Sequence, residues 1–500
     1  MSGRLAERTA AAPPAGRRRG YALAVCLVAV FMTLLDVSIV NVALPSIRTG
    51  LGGAPSGLQW ILSGYSLAFG LLLVPAGRIG DARSRRATFA AGVVLFTAAS
   101  LAAGFAPGIG VLIAARLAQG AAGGIVTPQV AGLIQQLYRG DERGRAFGLL
   151  GGAIGVATAA GPLLGGAIIQ VAGAAEGWRW VFFVNVPIGV AVVPLALRLL
   201  PHRSEVATGR RQSLDPVGVA ILGAGVTALL LPLVQAQEWP GPLKWLLVPA
   251  AVAVLAGFVR WERRYRRRGG DPVVDLTLFR RRSYAWGCAL ALAYFAGFTG
   301  IFFTLTLFLQ NHLHESALEA GATITPFAVG SAIAAPIAGR LVARTGRRLV
   351  IAGLLLVTAG LAGVYAATTF APEPYASAAM ALPLLVAGLG GGAVVSPNQT
   401  VTLSEVPRDE GGSAAGVLQT GQRIGTAAGI AAVGAVFFAT LGGTGDYPAA
   451  FHHGLLVLLG LILLAVLPAV AGSTGPVVRG RAVPRRAGCG TTGSQARWRW

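Results

Sequence analysis

The sequence predicts an all-α membrane protein with fourteen transmembrane helices, grouped as six, two and six. Three observations predict it. Fourteen apolar runs fill the chain from Tyr21 to Gly472, each near the roughly 20 residues that cross a ~30 Å hydrocarbon core at ~1.5 Å per residue. All but five of the 41 Lys and Arg residues lie in the tails, in alternate gaps between the runs, or at the run ends beside those gaps. One glycine- and arginine-rich loop occurs twice. Backbone groups in lipid must be satisfied internally, so each run is expected to be a helix.

The first six spans are expected at Tyr21–Leu44, Leu58–Ala76, Ala87–Ala106, Gly108–Val130, Ala146–Gln170 and Trp180–Leu200. Arg17, Arg18 and Arg19 before span 1 mimic a signal peptide. The apolar stretch is too long for one and no A-x-A site ends it, so an uncleaved span is expected. Pro216–Ala236 and Leu243–Trp261 form an inserted pair, and residues 201–262 hold that pair with its flanking loops. The last six spans are Tyr284–Leu309, Ala320–Leu341, Leu349–Thr368, Ala376–Pro397, Ser413–Thr440 and Phe451–Gly472. The implied units are a cytoplasmic tail over 1–20, a six-helix bundle over 21–200, a basic cytoplasmic linker over 263–283, a second bundle over 284–472, and a flexible cytoplasmic tail over 473–500. The Arg497-Trp-Arg-Trp500 end of that tail suits a membrane interface.

Topology follows from the basic residues. The exceptions to the alternate-gap rule are Arg48, Arg179 and Lys244 in the opposite loops, and Arg116 and Arg423 within spans. Positive-inside bias then puts both termini in the cytoplasm, as an even number of spans requires.

Composition excludes other classes. Of 500 residues, 54% are hydrophobic and 12% charged, about half the charged share of a soluble domain. The net charge of +22 punctuates apolar runs instead of gathering on a soluble face. It speaks for an anionic inner leaflet as partner and against nucleic acid. Cys26, Cys288 and Cys489 are far apart and offer no disulfide framework or metal site. The five histidines, His202, His312, His314, His452 and His453, fall outside the runs or at their ends. No GxxxxGK[ST] loop, HExxH or GxSxG is present, so neither an ATP-driven pump nor a membrane hydrolase is supported and no cofactor is expected. A proton gradient is the expected energy source. The arginine-rich, nearly lysine-free usage suggests a GC-rich bacterial genome, and the expected location is the bacterial inner membrane.

The repeated loop is Gly77-Arg-Ile-Gly-Asp-Ala-Arg-Ser-Arg-Arg86 after span 2 and Gly339-Arg-Leu-Val-Ala-Arg-Thr-Gly-Arg-Arg348 after span 10. The leading glycine and three arginines coincide in register. Spans 1–6 and 9–14 are then two copies of one unit, which usually enclose a midplane site opened alternately to each side.

Asp36 is the only acidic residue deep within any span. An intramembrane carboxylate is costly and functional by default. It lies about 12 Å from the outer end of span 1, and Arg116 about 9–12 Å down span 4 from the same side, so their depths permit a pair. Burial favours a neutral carboxyl and a nearby guanidinium an ionised one. Moving Arg116 away would make Asp36 take a proton, and moving it back would release that proton.

Five segments in order carry a family resemblance: Leu35-Asp-Val-Ser-Ile-Val-Asn-Val-Ala-Leu-Pro45 in span 1, the loop Gly77–Arg86, Arg116-Leu-Ala-Gln-Gly120 in span 4, Gly155 with Gly161-Pro-Leu-Leu-Gly-Gly166 in span 5, and Trp178-Arg-Trp-Val-Phe-Phe-Val-Asn-Val-Pro-Ile-Gly189 at the entrance to span 6. On these the chain resembles the major facilitator superfamily, in particular its fourteen-span drug:proton antiporters (EmrB/QacA type). The resemblance implies the two-bundle fold and export of small amphiphilic organic compounds in exchange for protons. It implies proton coupling at Asp36 and Arg116, and a conformational latch of Gly77, Asp81, Arg85 and Arg86. It also implies an antiporter motif of Gly155, Gly161, Pro162, Gly165 and Gly166. Ala82 replaces a usual basic residue of the latch and Ser84 its usual second glycine, which would weaken it. Ala343 replaces the Asp in the second copy, which reads as a topological anchor.

Glycine makes up 71 of the residues, and small residues let membrane helices approach closely. Gly161 and Gly165 have that spacing, with Pro162 adding a bend. Asn41, Gln59, Trp60, Tyr65, Gln119, Gln419, Gln422 and Arg423 jointly suggest a mildly polar, aromatic substrate pathway. Arg423 could bind an anionic substrate group, balance Asp36, or snorkel to the cytoplasmic side. Export of an endogenous secondary metabolite, or a non-transporting receptor or scaffold of the same fold, are the alternatives to drug efflux.

Overall fold

A computed structural model describes residues 15–52, 55–173, 176–201, 215–235, 239 and 241–473. The tail ending Arg497-Trp-Arg-Trp500 and most of the loop before Pro216 lie outside the described residues, within which all regular structure is helical. The first bundle holds α1 (Ala15–Leu51), α2 (Pro55–Ala82), α3 (Arg85–Gly104), α4 (Ile109–Leu137), α5 (Gly140–Ala172), α6 (Gly177–Phe183) and α7 (Asn185–Leu199). An inserted pair follows, α8 (Pro216–Val234) and α9 (Leu247–Arg267). The second bundle holds α10 (Arg282–Asn311), α11 (Ala317–Thr345), α12 (Arg347–Phe370), α13 (Ala376–Thr402), α14 (Gly411–Thr444) and α15 (Tyr447–Ala471). With α6 and α7 as one unit, 14 helices among the described residues are long and apolar enough to cross a membrane.

Most helices outrun their apolar cores, because a polar turn continues the backbone ladder once nucleated. Helix α5 begins at Gly140, with Asp141 and Glu142 in its first turn where the positive end of the helix dipole favours them. The sixth span differs from a single helix: it breaks at Val184. Pro187 has no N–H to offer the carbonyl of Phe183, so one bond of the ladder is missing there. The basic segment expected as a linker is also more structured than that. Helix α9 carries it to Arg267, and a short 3-10 turn at Leu276–Arg280 buries Leu278 after Asp275 has capped the turn.

The two bundles repeat each other's contacts. Helix α2 packs on α4 as α11 packs on α13; α3 on α4 as α12 on α13; and α1 on α5 as α10 on α14. They meet at two seams, α2 with α14 and α5 with α11. A repeat glycine lies near one end of each seam. A Cβ on Gly77 would collide with the carbonyl of Gly412, and one on Gly339 with the carbonyl of Gly144. The sequence repeat is therefore a repeat of backbone-to-backbone contact. Helices α8 and α9 pack on each other, and α8 rests on α2 and α14, outside the first seam. Leu101, Val94, Leu355 and Leu463 are among many large apolar side chains left on the outer surface, as lipid-facing helices require.

Candidate functional site

Two arrangements stand inside the first bundle and between the bundles. The first is centred on Asp36, sealed from solvent on α1. The Nη1 of Arg116, on α4, donates to its Oδ2. Its Oδ1 accepts from Gln119 Nε2 at 3.1 Å and from Asn185 Nδ2 at 2.9 Å. Every neighbour that bonds the carboxylate is a donor, the complement of an ionised acid. Ser100 Oγ on α3 accepts from the same two amides, at 2.6 Å from Gln119 and 3.1 Å from Asn185. The cluster ties α1, α3, α4 and α7 together.

Arg116 is held from all sides. Its Nε donates to the carbonyl of Ile61 at 3.1 Å and its Nη1 to Gln119 Oε1 at 2.9 Å. The guanidinium lies 4.3 Å from the ring centroid of Tyr65 and 5.9 Å from that of Phe182. Gly120, one turn on, lets α4 approach the backbone of Tyr65 more closely than any side chain would allow. That close approach brings Arg116 to α1 and α2.

The second arrangement is a cavity between the bundles. It is lined by α1, α2, α4 and α5 on one side and α10, α11, α13 and α14 on the other. Its apolar wall is a group of phenylalanines. Phe298 lies 5.9, 5.4 and 5.4 Å, centroid to centroid, from Phe295, Phe302 and Phe327. Gln419, Gln422 and Arg423 of α14 supply much of the polarity, and Arg423 is the one charged residue on the described lining. Its guanidinium lies 4.2 Å from the ring centroid of Phe69.

Of the residues expected to line the pathway, only those three face this cavity. Tyr65 and Gln119 belong to the Asp36 cluster instead. Asn41 is exposed and Trp60 half-buried, both away from the described lining. The side chain of Gln59 lies outside the described residues. Sequence reasoning missed Asn185, Ser100 and the phenylalanine wall. Asn185 was present in the span-6 segment, next to the interruption at Val184. Phe295, Phe298 and Phe302 carry a helical one-face spacing that was there to be read.

The loop 77–86 forms an inter-bundle contact. Asp81 Oδ1 accepts from the backbone N–H of Gly412 at 3.0 Å, and its Oδ2 from the N–H and hydroxyl of Ser413 at 2.7 and 2.9 Å. The carboxylate thus caps the first turn of α14, where N–H groups lack intrahelical partners. Arg85 donates to the same carboxylate at 2.7 and 2.9 Å, to the carbonyl of Gly132 at 3.1 Å, and across the seam to the carbonyl of Arg408. Arg86 is half-buried beside it. Ser84 needs no glycine's conformation: its backbone is extended, and its hydroxyl caps α3 by accepting from Ala87 N. Gly346, its counterpart in the second loop, has a φ of 55°. The contact forms despite Ala82 and Ser84.

In α5, Cβ atoms on Gly161 and Gly165 would press on Ser38 and Ile39 of α1, and one on Gly155 would lie 3.1 Å from the backbone of Ala332 on α11. Pro162 packs on Gly321 of α11, and Gly166 has only Leu318 near it, at 3.7 Å. The motif therefore keeps α5 close both to α1 and to the opposite bundle. No group of three or more His, Cys, Asp or Glu suited to a metal occurs among the described residues.

Comparison with known proteins places this geometry. A family model for the Major Facilitator Superfamily matches residues 26–430. A probable actinorhodin transporter of Streptomyces coelicolor is 40% identical over 87% of this chain and 75% of its own length. The puromycin resistance protein pur8 of Streptomyces alboniger is 33% identical over 87% of this chain and 84% of its own. The cephamycin export protein CmcT of Amycolatopsis lactamdurans is 33% identical over 91% and 94%. Among solved structures, the human organic anion transporter MFSD10 superposes with a TM-score of 0.65 at 16% identity, over 92% of this chain and 100% of that one. The proton:xylose symporter XylE does so with a TM-score of 0.63 at 16% identity, over 91% and 95%; both likenesses show the fold. The chain belongs to the major facilitator superfamily, as a multi-pass membrane transporter related to fourteen-span drug:proton antiporters and not an enzyme.

Proposed function

We propose that the protein exports small amphiphilic organic compounds, of the antibiotic or drug class, in exchange for protons across a bacterial inner membrane. The single observation that carries this reading is the Asp36–Arg116 contact, the one carboxylate buried deep in a span and met only by donors. Both termini lie in the cytoplasm, by the positive-inside bias. The Asp81 latch then closes the cytoplasmic end, and Asp36 is shut from water in this conformer. Its proton exchange belongs to a rearranged state reached when the bundles rock.

Protonation of Asp36 from outside removes its ionic tie to Arg116. Arg116 keeps Gln119, the carbonyl of Ile61 and the face of Tyr65. The link between α1 and α4 is weakened, and the first bundle is free to rearrange against the second. Release of the proton inside restores the tie. The substrate occupies the phenylalanine-walled cavity between the bundles. Relatives named for transport or export of, or resistance to, actinorhodin, puromycin, tetracenomycin C and cephamycin support an antibiotic-class cargo.

Efflux from loaded cells, with and without a protonophore, tests the proposal across a panel of such compounds. Export that stops when the protonophore is added, and is lost in Asp36→Asn at equal membrane abundance, is the expected result. Export indifferent to the protonophore, or binding without flux, contradicts it.

A further inference from the structure

We infer that the central cavity selects aromatic compounds carrying an ionised acidic group (a phenolate, carboxylate or sulfonate), with Arg423 as their counter-charge. The inference rests on the transport reading above and specifies the cargo of the same cavity.

Three observations meet at Arg423. It is the one charged residue on the described cavity lining. It has no carboxylate within salt-bridge distance among the described residues, the acidic groups being engaged elsewhere or remote. Asp36, the one acid deep in a span, is sealed inside its own cluster and does not line the cavity.

The physics then favours one charge type. A guanidinium away from bulk water is costly unless something neutralises it. Phe69 contributes its ring face, which offsets part of that cost. An anion in the cavity would supply the rest as charge-assisted hydrogen bonds, bidentate where its geometry allows. A cation in the same place meets repulsion and no acid. The phenylalanine wall sets the other half of the specificity, because ring faces in a water-poor cavity take a planar aromatic body. The same residue also borders an apolar groove under α8, between α2 and α14.

The test uses two probes of one shape and opposite charge, naphthalene-2-sulfonate and 2-naphthyltrimethylammonium. Their binding to the purified full-length protein in detergent is measured by calorimetry, against empty micelles. Native protein should bind the sulfonate about tenfold more tightly than the ammonium. Arg423→Gln should lose that preference, while Arg423→Lys keeps most of it. Phe298→Ala should weaken both probes alike. Equal or stronger binding of the ammonium, an unchanged ratio in Arg423→Gln, or binding of neither probe overturns the inference. Because the measurement involves no proton gradient, it fails or succeeds separately from the antiport reading. A protein that prefers the sulfonate but shows no proton-driven flux keeps this site and loses the other proposal.

Discussion

Tyr65 and Phe69, one turn apart on α2, stack with ring centroids 6.0 Å apart and planes inclined by 30°. Each ring carries a different arginine. Arg116 of the Asp36 cluster lies on Tyr65, and Arg423 of the central cavity lies on Phe69. The buried acid and the cavity are thus joined by a short packed chain on one face of one helix. Contiguity alone is not coupling, but it names the residues at which coupling is to be measured.

Phe69→Leu keeps an apolar side chain and removes the ring. The account expects substrate binding to fall by less than tenfold, since one partly compensated cation–π contact is worth about 1 kcal/mol. It expects proton-driven transport to fall further than binding does. Parallel assays of probe binding and of flux in proteoliposomes give the comparison. Equal losses in both would place Phe69 in the cavity wall and nothing more.

Removing the acid should cost stability as well as function. Asp36→Asn leaves Arg116 buried without its counter-charge, which costs about 3–5 kcal/mol in a sealed site. Asp36→Asn combined with Arg116→Gln removes both charges and should recover much of that loss. Thermal unfolding in detergent, followed by loss of the monodisperse peak, reports it. A double variant no more stable than Asp36→Asn alone would contradict the tie between the two. Neither variant should export against a gradient.

The latch prediction concerns conformation. Asp81→Asn weakens the cap on α14 and the bond to Arg85, each worth about 1–2 kcal/mol to the closed state. Spin labels at the C-terminal end of α2 and the N-terminal end of α14 should then show a longer mean distance than in the native protein. An unchanged distance distribution would show that the glycine contact at Gly77 and Gly412 holds the seam by itself.

Gly165→Leu forces a side chain against Ile39, where a Cβ alone would sit 2.9 Å from its Cγ1. Helix α5 must move off α1, or tilt against α11. Transport should suffer more than membrane abundance, read by immunoblot and by efflux in the same cells. Equal losses would assign the motif to packing.

How far the molecule was legible in the sequence depends on what each signal needs. The spans were legible because lipid demands about 20 apolar residues whatever their neighbours. The repeat was legible because Gly77 and Gly339 each sit where two backbones touch, a role no other residue fills. Asp36 announced itself as a lone deep acid, and helix rise brought Arg116 to its level. Asn185 and Ser100 did not, since a single amide or hydroxyl near a span end is ordinary and the face it occupies depends on how α3 and α7 pack on α1 and α4. Ser84 was read as a weakened latch, yet its extended backbone makes glycine unnecessary there and its hydroxyl serves as a cap. Arg423 left three roles open. Which face of α14 it occupies depends on how α2 and α14 pack, and periodicity along one helix does not carry that.

The most direct measurement is uptake into proteoliposomes of purified protein under an imposed pH gradient, native against Asp36→Asn, using any compound that both forms bind. The account predicts that the native protein accumulates the compound in the direction opposite to proton flow. It predicts that Asp36→Asn at most equilibrates the compound and ignores the gradient. Gradient-driven accumulation by Asp36→Asn at the native rate would contradict it.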